Sequence, residues 1–292
     1  MSERGCTFVT WNIFHDLPRF RRLDRRLELI AEAIADARPH LVALQEVARA
    51  AGCGDIGNRL CALVNERCAT AYRIYYAPAD GAGEGEYTFD EGVAILSRLP
   101  ALGTASDVRK YAAQVELTTT VAGSRYRLPD DRVAMRLRFR TDRGNDVDLY
   151  VTHLTDATEA AGNGPAVRAA QARELARWVG ESSGAGVAVV AGDFNDAPES
   201  EAIRSLVEAG FVDTYAAMGT LPGYTNDRGD LEIESPAASH NQRIDYIFYR
   251  QPPGGDSQII DARLFGHRPH REPGGGWLWP SDHIGVSTTL RL

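Results

Sequence analysis

Short β-like runs recur from one end of this chain to the other, and they limit it to folds built on extended sheets. The runs are "TFVTWNI", "LVALQEV", "RIYYAP", "GVAILSR", "RVAMRLRFR", "VDLYVTHL", "GVAVVAGDF", "RIDYIFYR", "SQIIDARLF" and "HIGVSTTLRL". In one of them the alternation is strict. Val133, Met135, Leu137 and Phe139 share one face, and Ala134, Arg136, Arg138 and Arg140 share the other. That period marks a strand with one apolar face. "GVAVVAG" is apolar throughout and reads as a central strand covered on both sides.

Helical patterns fall between the runs. Leu23, Leu27, Ile30 and Ile34 recur at the spacing of a helix that Pro39 closes. Val167–Val179 predicts a second helix, and Ser200–Ala209 a third that stops at Gly210. Irregular structure is expected over Asp80–Glu91, Asp107–Asp131, Gly219–Asn241 and Gln251–Pro280. No low-complexity linker or internal repeat interrupts the series, so residues 1–292 read as one mixed α/β domain.

Charge narrows the partners. The chain has 40 Asp and Glu against 32 Lys and Arg, a net charge of −8. That disfavours a non-specific grip on nucleic acid, which needs many cations against phosphate. The start, "MSERGCTFVTWN", has no apolar signal-peptide core. No run reaches the roughly 18 apolar residues of a membrane span. A cytoplasmic location is the expectation. Cys6, Cys53, Cys61 and Cys68 include no CxxC pair and read as reduced, mostly buried thiols.

The residues that could carry chemistry stand where apolar runs stop. Asn12 follows "VTW", Glu46 follows "VALQ" and His153 follows "LYVT". Asp193 and Asn195 follow "VAVVAG", Asp245 lies inside "RIDYIF", and Asp282 and His283 close the set. Carboxylate and amide oxygens suit Mg²⁺, Mn²⁺ or, as a third option, Ca²⁺, and no Cys/His cluster favours zinc. Such an ion neutralises phosphate oxygens. A histidine held by a carboxylate can act as base or orient a phosphate. Serine nucleophilic catalysis lacks its G-x-S-x-G turn, and a Walker-type phosphate loop is also missing.

Taken in order, "TWNI", "ALQEV", "EGVAILSR", "VTHL", "GDFN", "RIDYIF" and "SDH" resemble the motifs of the endonuclease/exonuclease/phosphatase superfamily, from residue 10 to residue 283. The resemblance implies a four-layer α/β/β/α sandwich like that of deoxyribonuclease I. It also implies a divalent-metal-dependent phosphoesterase, the activity of a family that includes nucleases, sphingomyelinases and inositol phosphatases. Residue by residue, it makes Glu46 the principal metal ligand, with Asn12 and Asp282 nearby. Asp193 and Asn195 would hold the attacking water and the scissile phosphate. His283, oriented by Asp245, would contact phosphate or activate water, and His153 would be a second phosphate-side histidine. Arg132 matches a phosphate-contacting arginine more loosely, and a solvated strand residue is an equal reading of it.

Substrate choice rests on loops. Trp277 and Trp279, just before the tripeptide Ser281-Asp282-His283, could line a substrate mouth or pack the loop. Net charge and the acidic stretch Ala79–Gly92 favour a small phosphorylated metabolite or lipid head group. The basic run Arg19, Arg21, Arg22, Arg25 and Arg26 favours the alternative, a nuclease. A non-catalytic binding scaffold is the remaining alternative, against which all seven motifs keep their reactive residue types.

Overall fold

The computed structural model describes residues 5–82, 89–103, 106–121, 124–156, 163–184, 186–226, 233–236 and 240–292. From the N-terminus, β1 (Cys6–Asn12) leads to α1 (Leu23–Ala37), then β2 (Leu41–Ala50), β3 (Gly54–Asp55) and α2 (Ile56–Arg67). Strands β4 (Arg73–Ala82), β5 (Phe89–Ser97), β6 (Asp107–Lys110), β7 (Val115–Val121) and β8 (Ser124–Asp130) follow. Next come β9 (Val133–Arg140), β10 (Asp146–His153), α3 (Gly164–Ser182), β11 (Val187–Asp193) and α4 (Glu201–Glu208). The remainder holds β12 (Val212–Asp213), α5 (Thr214–Met218), β13 (Asp245–Arg250), β14 (Gln258–Phe265), β15 (His270–Arg271), β16 (Trp277–Leu278) and β17 (Gly285–Arg291).

Two sheets carry the chain. One has the order β14-β17-β1-β2-β5-β4, with β3 paired to β2, and the other β12-β13-β11-β10-β9-β6. Alternation along each strand sorts its residues between two cores. Phe8, Ile95, Met135, Leu149, Val189 and Ile247 from both sheets form the central core. On the outer face of the first sheet, Val9, Trp11, Val42 and Leu44 pack under Leu27 and Ile30 of α1 and Leu60 of α2. On the outer face of the second, Tyr150, Val190 and Phe248 pack under Leu175 and Trp178 of α3 and Leu206 of α4. Four layers result, and the sheets are covered on both faces. This is why "GVAVVAG" is apolar throughout. Each large side chain so buried stabilises the fold by about 1.5–3 kcal/mol.

Local signals place the helices. The Arg38 backbone N–H bonds the Ile34 carbonyl in a left-handed cap just before Pro39. Ser200 caps α4 by accepting from the Ile203 N–H, and Gly210 turns the chain away with φ of 86°. All four cysteines are free thiols. No helix among the described residues is long and apolar enough to cross a membrane.

Structure also appears where irregular chain was expected. Asp107–Asp131 holds β6 and the hairpin β7–β8, which forms a separate two-stranded sheet. Its "VELTTTV" is rich in β-branched threonine rather than alternating apolar residues, so a hydrophobic period misses it. β4 and β5 extend into the acidic stretch from both sides, and residues 83–88 of that stretch lie outside the described residues.

Candidate active site

Strand direction decides which residues meet. β1 is parallel to β2, and β10 is parallel to β11. Their last residues, among them Asn12, His153 and Asp193, gather at one edge of the sandwich. β13 is antiparallel to β11, and β17 is antiparallel to β1, so these two strands begin at the same edge. Asp245, first in β13, therefore stands directly opposite Asp193, last in β11. His283, just before β17, arrives there for the same reason.

Glu46 takes another route. β2 slips register between Leu44 and Val47, and Glu46 sits in that bulge with φ of 55°. A non-glycine residue held in the left-handed region costs about 1–3 kcal/mol, a strain that clusters where side chains must be aimed.

Hydrogen bonds join these groups. Asn12 Nδ2 donates to Glu46 Oε1 at 2.9 Å and to Asp193 Oδ2 at 3.1 Å, bridging the two sheets. The Asn195 backbone N–H donates to Asp193 Oδ1 at 2.9 Å. His283 Nδ1 lies 2.9 Å from Asp245 Oδ2, and its Nε2 lies 3.6 Å from Asp193 Oδ2. His153 Nε2 also lies 3.6 Å from Asp193 Oδ2 and accepts from Asn195 Nδ2 at 3.1 Å. His153 Nδ1 then carries the ring hydrogen, and it faces Arg132 Nη1 at 3.1 Å. Two donors confronting each other suit an anionic oxygen placed beside them.

Burial sets the proton affinities. It raises the Asp193 carboxyl to about 7, with Asp245 adding to the effect and His283 opposing it. For His283 burial acts downward, but the Asp245 and Asp193 carboxylates outweigh it and hold the imidazole well above its ordinary range. Burial and then the Arg132 guanidinium push His153 well below that range. At neutral pH one histidine is therefore cationic and the other neutral. Asp282 is raised to about 6 by burial, with His283 pulling it down and Glu46 pushing it up.

Four further residues support the site without standing at a strand end. His15 Nε2 lies 2.8 Å from Glu91 Oε2 and 3.8 Å from Glu46 Oε2. Glu91 Oε1 lies 3.9 Å from His153 Nδ1. Burial alone would raise Glu91, but His15, Arg132 and His153 hold it down to about 2. Both residues lay within reach of sequence reasoning, since Glu91 opens "EGVAILSR" and His15 follows "TWNI" closely. Ser281 Oγ donates to the Asn12 carbonyl at 2.6 Å and accepts from the His283 N–H at 3.1 Å, which explains a serine before Asp-His. Fully buried Arg26 donates from Nη1 to the Phe14 carbonyl at 2.7 Å and to the Pro280 carbonyl at 3.4 Å, tying α1 to both turns.

The tryptophans stand apart. Trp279 is 5% exposed, packs with Leu29, Ile233, Leu278 and Ile284, and donates its indole N–H to the Ser235 carbonyl at 2.9 Å. That is a packing role rather than a substrate mouth. Trp277 is half-buried in the β15–β16 hairpin with the Arg271 guanidinium 5.9 Å from its ring centre.

Known families match this arrangement. The model of the Endonuclease/Exonuclease/phosphatase family matches residues 9–283. The chain belongs to that family. Among solved structures, a family protein from Leptotrichia buccalis has 17% identity and a TM-score of 0.67, covering 99% of this chain and 100% of that one. A mannosyl-6-phosphatase from Bacteroides thetaiotaomicron gives 17% identity and a TM-score of 0.67, with 99% and 100% covered. A humanized TDP2 from D. rerio gives 19% identity and a TM-score of 0.63, with both chains covered in full. At such identities the likeness carries the deoxyribonuclease I-like fold and not the substrate. No curated protein matches the chain.

Members of the endonuclease/exonuclease/phosphatase family are divalent-metal-dependent hydrolases of phosphoester bonds. The residues here fit such an ion. Asp193, Asp245 and His283 each offer a ligand atom within 4.8 Å of the others, a group that takes an ion only once the His283 imidazolium has lost its proton. Glu46 raises the proton affinity of Asp282, a like-charge confrontation that a hard cation would relieve.

Proposed function

We propose that the chain hydrolyses a phosphomonoester or phosphodiester of a small metabolite or lipid head group, using Mg²⁺ or Mn²⁺. The observation that carries this reading is the convergence on the buried Asp193 Oδ2 of Asn12 Nδ2 at 3.1 Å and the Nε2 atoms of His153 and His283 at 3.6 Å each. A general base poised near the working pH is what water activation requires.

Glu46, Asp282 and Asn12 would hold the cation, which supplies Lewis-acid neutralisation of the phosphoryl oxygens. Asp193 takes the proton of the attacking water as its oxygen bonds phosphorus; the ester P–O bond breaks, and the leaving alkoxide takes a proton from solvent. The His283 imidazolium, oriented by Asp245, donates from Nε2 to a phosphoryl oxygen. His153 and Arg132 supply the pair of donors for a second oxygen, and Asn195 orients the neutral imidazole. These donors are fixed before the reaction, so they stabilise developing charge without reorganising.

Preference for a small substrate is supported by the basic run. Arg19 and Arg21 pair with Asp16 at 2.9 and 2.8 Å, and Arg22 pairs with Glu272. Arg25 pairs with Glu28 at 2.8 Å, and Arg26 is buried. Cations already paired with carboxylates of the chain, or buried, have less to offer a polyanion. The solved structures include both a mannosyl-6-phosphatase and a TDP2 with single-strand DNA product, so a nuclease stays the second reading.

The test is a panel of phosphomonoesters, phosphodiesters, nucleotides and phospholipids assayed with Mg²⁺, Mn²⁺ or EDTA, beside plasmid nicking. Turnover of a small ester that EDTA abolishes is expected. Metal-dependent nicking at sub-stoichiometric enzyme, with the small esters inert, would replace this reading by the nuclease.

A further inference from the structure

The edge opposite the candidate site holds a second polar cavity, of about 490 Å³. Its lining includes Cys6, His40, Arg98, Thr141, Arg143 and Thr289. These come from the start of β1, the α1–β2 connection, the end of β5, the β9–β10 turn and the end of β17. Thr7 and Asn12 lie at opposite ends of β1, so the cavity is roughly 17 Å from the phosphoester site at ~3.3 Å per residue.

His40 shows what the cavity lacks. Its Nδ1 accepts from the Thr7 backbone N–H at 3.0 Å. Burial, then the Arg98 charge, lowers its proton affinity to about 4, so the ring is neutral and its single hydrogen sits on Nε2. That Nε2 faces Arg98 Nη2 at 2.7 Å, a donor against a donor. Asp142 Oδ2 lies 3.7 Å from Nε2, beyond hydrogen-bond distance. Arg98 Nε is buried without a partner, and among the described residues no carboxylate pairs with Arg98 or Arg143. His153 and Arg132 meet in the same way at the candidate active site.

We infer that this cavity is an oxyanion-binding site, separate from the catalytic one, in which a phosphate group accepts from His40 Nε2 and the Arg98 guanidinium. Thr141, Arg143 and Thr289 are among the other residues that line the cavity, with Asp142 and Leu292 beside them. Two exposed groups at the rim act in opposite directions. Arg143 attracts the anion, and Asp142, with a side chain 70% exposed, repels it. The phosphate is either free or carried by a small metabolite.

The experiment titrates the full chain with inorganic phosphate or glycerol 3-phosphate and follows the His40 ring resonances by NMR, assigned with His40→Gln. A saturable shift is expected. Its dissociation constant should weaken about ten-fold or more in Arg98→Gln, the cost of losing a charge-assisted bond. It should tighten in Asp142→Asn, a rim change that leaves the buried pair intact. Tighter binding of glycerol 3-phosphate assigns the site to a phosphorylated metabolite, and tighter binding of inorganic phosphate assigns it to the free ion. An unmoved His40 signal with both ligands overturns the inference. So does equal affinity in Arg98→Gln, or, should that variant not fold, in Asp142→Asn.

Discussion

Asp148 and Asp193 are both almost wholly buried in the second sheet, one near each end of the β10–β11 pair. Asp148 meets cations: Arg136 Nε and Arg138 Nε donate to its Oδ1 at 3.0 Å each, and Arg138 Nη2 to its Oδ2 at 2.9 Å. Asp193 meets the Asn12 amide, the Asn195 N–H and, across the strand pair, another carboxylate. A buried charge with two guanidiniums is satisfied and inert. Asp193 has no guanidinium: neutral donors, a like charge and a single imidazolium 3.6 Å away, itself shared with Asp245, leave it an appetite for a proton or a cation. Location in the core is shared, so the partners alone separate structure from chemistry.

The largest effect should come from Asp193→Asn, which keeps the shape and removes the base. Steady-state turnover is expected to fall about a thousand-fold or more while the circular dichroism spectrum is unchanged. Retention of a tenth of wild-type activity would break the contrast. Asp148→Ala should do the reverse. Removing the acceptor that Arg138 and Arg136 share, of which Arg136 keeps Asp107, should cost about 1–3 kcal/mol in urea unfolding, with activity per folded molecule preserved.

Metal comes next. Saturating Mg²⁺ at about a hundred times its dissociation constant should raise unfolding stability by about 2.7 kcal/mol in wild type and much less in Glu46→Ala. Equal stabilisation in both proteins would remove Glu46 from the proposed ligands. The last test is in pH. For metal-free protein, the Asp193 pKa of about 7 exceeds its ordinary 3.8, so its stabilising contribution is complete below 3.8 and is lost as pH rises through about 7. The same ionisation activates the base, so kcat/KM of the metal-loaded enzyme should climb with pH to a plateau reached below 7, because a bound cation favours the carboxylate. Asp193→Asn should flatten the stability slope between those values, and an unchanged slope would assign the proton elsewhere.

Much of the layout was legible in the sequence because burial writes itself into alternation. The apolar run of β11 marks a central strand, and the strict period of β9 marks a strand with one apolar face. The motif residues converge because strand direction does the rest: Asp245 looked misplaced inside its run until β13 proved to run antiparallel, which makes a strand's start equivalent to its neighbour's end. What stayed hidden lacks a periodic signature. Threonine-rich β7 carries no apolar stripe. Arg26 sits on the buried face of α1, where a sequence reader places it in solvent, because its acceptors are carbonyls that only folding brings near. Trp279 is the converse case, a large side chain near the site that the local chain covers.

The Asn12 amide touches carboxylates that belong to different layers, and this makes it a gauge of the spacing between them. Thinning the packing at Leu149 or Met135 would let the layers drift by a fraction of an ångström without melting the molecule. Catalysis would then fade before cohesion does. The hydrophobic filling between the sheets is, in that sense, part of the reaction apparatus.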